Sequence, residues 1–190
     1  TVCSDGDLME GVASEAASTA GHLRLSNLCW IYDSNTVTIE GHTELAFDED
    51  VGARFEGYGW NVLKVADAND RDAIRQALRT FKDTADRPTI IILTSIIGFG
   101  SPNKQGTSKI HSDAMGAEEV KLTKEAYGWP LEPDFLVSDG VYDGFRSGIG
   151  KRGAELHAAW NATMDRCKAE DPTHARAVDQ LLSRKMADDW

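Results

Sequence analysis

Asp5 and Asn35 are the residues whose types and spacing point most directly to chemistry. Asp5 stands in "CSDGDLMEG", between a strand-like start at residues 1–3 and a helix-forming run from Leu8 onward. Asn35 follows thirty residues later in "YDSNTVTIEG", just past an apolar run. That interval is about one step from strand end to strand end through a βαβ unit. Both residues then fall at the carboxyl edge of a parallel sheet, where open α/β folds bind ligands. A carboxylate and an amide oxygen are hard donors suited to Mg²⁺ or Ca²⁺ carrying a phosphate, and a backbone carbonyl past Asn35 can add a third. The plainer alternative is a helix cap and a turn residue. Asp7 is expected to serve the helix N-terminus rather than a metal.

The elements that must hold these residues alternate along the chain. Residues 11–25 have helical periodicity, with Leu8, Val12, Ala16, Ala20 and Leu23 on one stripe and small residues over much of the rest. Glu15 borders that stripe, whereas Glu10 points away from it. Residues 27–33 form an apolar run of strand length, 48–58 a short helix closed by Gly59, and 60–65 a strand. An amphipathic helix follows over 70–82 and a buried strand over 88–95. Strands alternating with helices predict an α/β fold with a mostly parallel sheet flanked by helices. The sheet is short, about three strands, and the first begins at the first residue, so the chain reads as a piece of something longer. "IIGFGSPNKQGTSKIHSDAMG" is a long Gly/Ser/Asn-rich loop of the kind that carries function. Helices are expected over 117–127, 139–169 and 172–188.

Bulk properties narrow the partners. A net charge of -11 argues against nucleic acid, because phosphate backbones reward basic surfaces. No apolar run approaches the roughly 20 residues that span a bilayer, so no membrane contact is expected. Cys3, Cys29 and Cys167 are odd in number and lack metal-ligand spacing, which suits a reducing cytoplasm. Cys3 and Cys29 sit in strand-like runs as small hydrophobes. His22, His42, His157 and His174 read as structural or surface residues, and Trp129, Trp160 and Trp190 as packing or interface residues.

"SDGDLMEG" followed by "YDSN" resembles the thiamine diphosphate signature, a Gly-Asp-Gly start and an Asn end about thirty residues apart. The longer strings "DGDLMEGVASEAASTAGHLRLSNL", "IYDSNTVTIEGHTE", "RFEGYGWNV" and "TSIIGFGSPNKQGT" resemble the transketolase family, nearly from Thr1 to Phe145. Ser4 stands where the signature usually has its first Gly, which a backbone φ below zero would allow.

The resemblance implies a partial thiamine diphosphate-binding fold over residues 1–145. Residues 146–190 would be a C-terminal helical extension leading to a pyrimidine-binding domain that lies elsewhere. It implies that Asp5, the Asn35 side chain and the Val37 carbonyl bind Mg²⁺ or Ca²⁺, which holds the cofactor diphosphate. Gly6 would let the backbone approach that diphosphate, and Ile39 would pack beside the thiazolium ring. His111 would face diphosphate and substrate. Acids matching Glu10 and Glu15 would lie at a homodimer interface near the cofactor and link two active sites, with a surface salt bridge the alternative for Glu10. The implied activity is transfer of a two-carbon ketol unit between sugar phosphates of the pentose phosphate pathway. The rival readings are a related enzyme on the same cofactor, such as a dihydroxyacetone synthase, and a non-catalytic fragment that contributes only an interface.

Overall fold

Four apolar runs pair into one parallel sheet in a computed structural model that describes residues 1–186. The end of the helix expected over 172–188, and Trp190, lie outside the described residues. The strands are β1 (Val2–Ser4), β2 (Cys29–Ser34), β3 (Asn61–Val65) and β4 (Thr89–Thr94), in the order β1-β2-β4-β3. The sheet therefore has four strands where about three were expected, and every pairing is parallel.

Residues alternate across this sheet, so β2, β3 and β4 each feed two cores. On one face Tyr32 and Ile90 pack with Leu8, Ala17, Ala20, Phe55 and Trp60. These come from α1 (Asp5–Met9), α2 (Gly11–His22), α3 (Val51–Gly57) and the turn after it. On the other face Ile91 and Val65 pack against Ala77 of α4 (Arg71–Asp83). Asp70 caps α4, accepting from the Asp72 and Ala73 N–H groups. Burial on both faces explains why β2 and β4 read as continuous apolar runs.

The helical face predicted for residues 11–25 is corrected by the structure. Of the expected stripe Leu8 and Ala20 are buried, but Val12 and Leu23 are 68% and 58% exposed, and Ala17, outside the stripe, is buried. The small residues face inward because the α3–β3 turn comes so close. A Cβ on Gly21 would lie 1.9 Å from the Tyr58 carbonyl oxygen, and the Trp60 indole N–H donates to the Ala17 carbonyl at 2.8 Å. α1 and α2 are also separate helices, broken where Glu10 is extended at ψ 132°. Gly59 ends the α3 turn at φ +82°, as the sequence led one to expect.

The chain divides into two compact units, Thr1–Glu132 and a second beginning at Pro133. This break in contacts falls before the 145/146 boundary inferred from sequence. The first unit also contains α5 (Ala117–Ala126). The second contains α6 (Val141–Phe145), a π-helical turn at Arg146–Gly150, α7 (Lys151–Glu170) and α8 (Pro172–Ser183). Trp129 and Trp160 are 41% and 47% exposed. Among the described residues no helix is long and apolar enough to cross a membrane.

Candidate functional site

The register Ser4↔Asp33 sets the carboxyl ends of β1 and β2 side by side. Asp5 follows directly on β1 and Asn35 directly on β2, so neighbouring strands roughly 5 Å apart deliver them to one edge. Ser4 has φ -123°, which removes the objection to a non-glycine residue there. The Asp7 carboxylate accepts from the Ser4 N–H at 2.8 Å and from its hydroxyl at 3.1 Å, the capping role expected of it. Leu8 is buried in the core and Arg54 donates to the Leu8 carbonyl at 3.2 Å, which together fix α1 and thus Asp5.

Asp5 is not an exposed group at the sheet edge: it is 2% exposed. The Tyr32 hydroxyl donates to its Oδ1 at 2.6 Å. Its Oδ2 is buried without a hydrogen-bond partner. A buried carboxylate oxygen left unpaired is costly, and a cation is a partner that would compensate it. Burial, and after it the hydrogen bond to Asp5, push the Tyr32 hydroxyl pKa well up, so it remains a donor.

Asn35 forms a turn of its own, its Oδ1 accepting from the Val37 N–H at 3.0 Å. Between them Thr36 takes φ +61°, a left-handed conformation that is uncommon for a β-branched residue and costs about 1–3 kcal/mol. Val37 pairs antiparallel with His42 in a short hairpin. The bonds of that bridge use the Thr36 and Gly41 carbonyls, which leaves the Val37 carbonyl outside the pairing. A carboxylate oxygen, a side-chain amide oxygen and a free carbonyl are the kind of donors that suit a hard divalent cation and not a soft one.

A cavity of about 570 Å³ opens at this edge. Gly6, Glu10, Asn35, Val37, Ile39 and His111 all line it. Asp5 itself is buried and is not among the lining residues, although its chain neighbours Ser4 and Gly6 are. Apart from its chain neighbours and its own helix backbone, nothing comes within 4 Å of where a Cβ on Gly6 would stand, leaving open space there. Ile39 is 62% exposed. Glu15 is exposed on α2 and is not among the lining residues. Sequence reasoning passed over Tyr32, whose bond to Asp5 has no signal in an apolar run. His42, read from the sequence as a structural or surface residue, lines the cavity seven residues after Asn35.

The long loop at 95–116 is ordered by a residue that drew no notice in the sequence. Glu119 of α5 is 7% exposed and accepts from the Ser101 hydroxyl and from the Asn103 N–H and side-chain amide, the latter two at 2.9 Å. The Ser101 hydrogen bond, followed by those of Asn103, holds its carboxyl below the usual range. Gly98 and Gly100 have positive φ, and their missing side chains make room for Ile110 and Tyr127. His111 follows directly on the short turn Ser108–Ile110 within this loop. The three cysteines are free, and burial, followed by the charge of Asp7, raises the Cys3 thiol to about 11, which suits an inert packing role.

Comparison with known proteins gives a concordant result. Residues 1–187 match the family described as transketolase, thiamine diphosphate binding domain. The chain is 44% identical over 189 residues to a transketolase from Geobacillus stearothermophilus and 45% identical over 190 to one from a Nostoc species. In both cases 100% of this chain covers 28% of the relative. A solved mutant transketolase from Pichia stipitis, in complex with fructose-6-phosphate, superposes with a TM-score of 0.84 at 37% identity. The Leishmania mexicana transketolase gives the same two values, and each match covers 100% of this chain and 28% of the other.

Proposed function

Because the chain belongs to the transketolase family, as its thiamine diphosphate binding domain, we propose that it serves ketol transfer between sugar phosphates. It spans 28% of the length of the curated relatives it matches. The observation that carries the reading is the buried Asp5 with its unpartnered Oδ2, beside a cavity lined by Gly6, Asn35, Val37, Ile39 and His111. Asp5 Oδ2, the Asn35 side chain and the Val37 carbonyl hold Mg²⁺ or Ca²⁺, and the ion holds the cofactor diphosphate. Bound thiamine diphosphate supplies the nucleophilic carbon that carries the two-carbon unit from a ketose phosphate to an aldose phosphate.

The chain's own residues do the rest. Gly6 admits the diphosphate close to the backbone. Ile39 gives the thiazolium an apolar flank, and His111 contacts the diphosphate and the substrate as the catalytic residue of this segment. Glu10 and Glu15 act at a homodimer interface. Both are exposed, near Met9 and Val12, which are 37% and 68% exposed. Residues 1–145 serve the diphosphate, 146–190 lead towards the pyrimidine-binding domain, and the protein works in the reducing cytoplasm on the pentose phosphate pathway. A coupled assay with a ketose phosphate donor and a panel of aldose phosphate acceptors tests this on the protein at its full natural length. Turnover that needs cofactor and divalent metal is expected; no transfer with any donor and acceptor contradicts the reading.

A further inference from the structure

We infer that Tyr32 is a positioning residue for the metal: it holds one oxygen of Asp5 so that the other is left for the cation. This rests on the metal-site reading above. Tyr32 and Asp5 are 4% and 2% exposed, and the hydroxyl donates to Oδ1 at 2.6 Å. That bond engages a single oxygen. Oδ2 is equally buried and has no partner, so the carboxylate is fixed at one end and unsatisfied at the other.

Both partners of the bond are tied to the buried core. Tyr32 on β2 belongs to the same buried cluster as Leu8, Phe55 and Ile90, and Leu8 belongs to the same short helix as Asp5. The core thus sets the hydroxyl, and the hydroxyl sets the plane of the carboxylate. Groups that hold a ligand's second polar atom in this way tune affinity without touching the ion.

Tyr32→Phe removes the hydroxyl and keeps the ring. The protein at its full natural length, stripped of metal, is titrated with Mn²⁺ in the presence of thiamine diphosphate, and free Mn²⁺ is read by electron paramagnetic resonance. The Mn²⁺ Kd is expected to rise about 10–100-fold in Tyr32→Phe. In an Asp5→Asn background the same change should add nothing further, since its effect runs through that carboxylate. Melting temperature is read on the same samples, and the rise induced by Mn²⁺ should shrink in Tyr32→Phe. A hydroxyl that served stability alone would lower the metal-free melting temperature and leave both metal readouts unchanged, which overturns the inference. So does an equal loss in the Asp5→Asn background. If Tyr32→Phe matches a wild type that binds Mn²⁺, the inference fails and the site reading stands. If wild type binds no Mn²⁺, both fail.

Discussion

At the scale of residues, the site rests on groups that differ in how readily a sequence discloses them. Asp5 and Asn35 are candidates by donor type and a strand-to-strand interval, but that pattern is weak alone and it is the resemblance to a cofactor signature that singles them out. His111 is legible only by resemblance, since the loop around it has no periodicity. Its place on the cavity lining leads to a specific expectation. His111→Ala should lower kcat/KM by about 100-fold, the scale of a positioned proton-transfer group, and shift cofactor Kd by less than about threefold. Steady-state kinetics with a parallel cofactor titration would check this; equal losses in both would make His111 an anchor and not a participant. Two features had no signal in the sequence. Tyr32 sits in a run whose alternation reports faces but not the reach of a hydroxyl, and the left-handed φ of Thr36 follows from the turn geometry that Asn35 imposes.

Elements were read well where packing obeys periodicity and poorly where size decides. β2 and β4 stand within two residues of their expected bounds, because strands buried on both faces must be apolar throughout. The stripe on α2 failed at Val12 and Leu23 for the converse reason. Hydrophobicity favoured Val12 and Leu23, but the space beneath the helix admits only small side chains. Gly21→Ala tests this. Alanine gains about 1 kcal/mol of helix propensity, yet its Cβ would sit 1.9 Å from the Tyr58 carbonyl oxygen. The net effect should be destabilising by about 1–3 kcal/mol in urea denaturation. A neutral or stabilised variant would show that the α2 packing is wrongly described.

The loop at 95–116 gives a second test at this scale. Glu119 has its carboxyl held below the usual range, so its anchoring is complete above the unfolded carboxyl pKa and is lost as pH falls through the lower folded value. Amide exchange across 96–116 should therefore quicken, relative to its intrinsic rate, as pH drops through that window. Glu119→Gln should exchange faster already at neutral pH and lack that added pH response. Identical profiles for the two proteins would remove Glu119 as the loop's anchor.

At the scale of the whole molecule, large apolar side chains stand exposed on both compact units. Phe135 is 100% exposed, Leu181 79%, Leu45 77% and Val12 68%. The chain spans 28% of its relatives' length, and the proposed homodimer and pyrimidine-binding domain would bring apolar partners to such side chains. The 190-residue chain expressed alone is expected to self-associate in light scattering and to show no ketol transfer; a monodisperse, active monomer would contradict that.

The central claim, that Asp5, Asn35 and Val37 hold a divalent ion which in turn holds the cofactor diphosphate, is met most directly by calorimetric titration of the protein with thiamine diphosphate. With Mg²⁺ or Ca²⁺ present, wild type should bind. A chelator should abolish the heat of binding, and Asp5→Asn should weaken binding by about 100-fold, the equivalent of ~3 kcal/mol. Binding of equal strength with and without the metal, or in wild type and Asp5→Asn alike, would contradict the account.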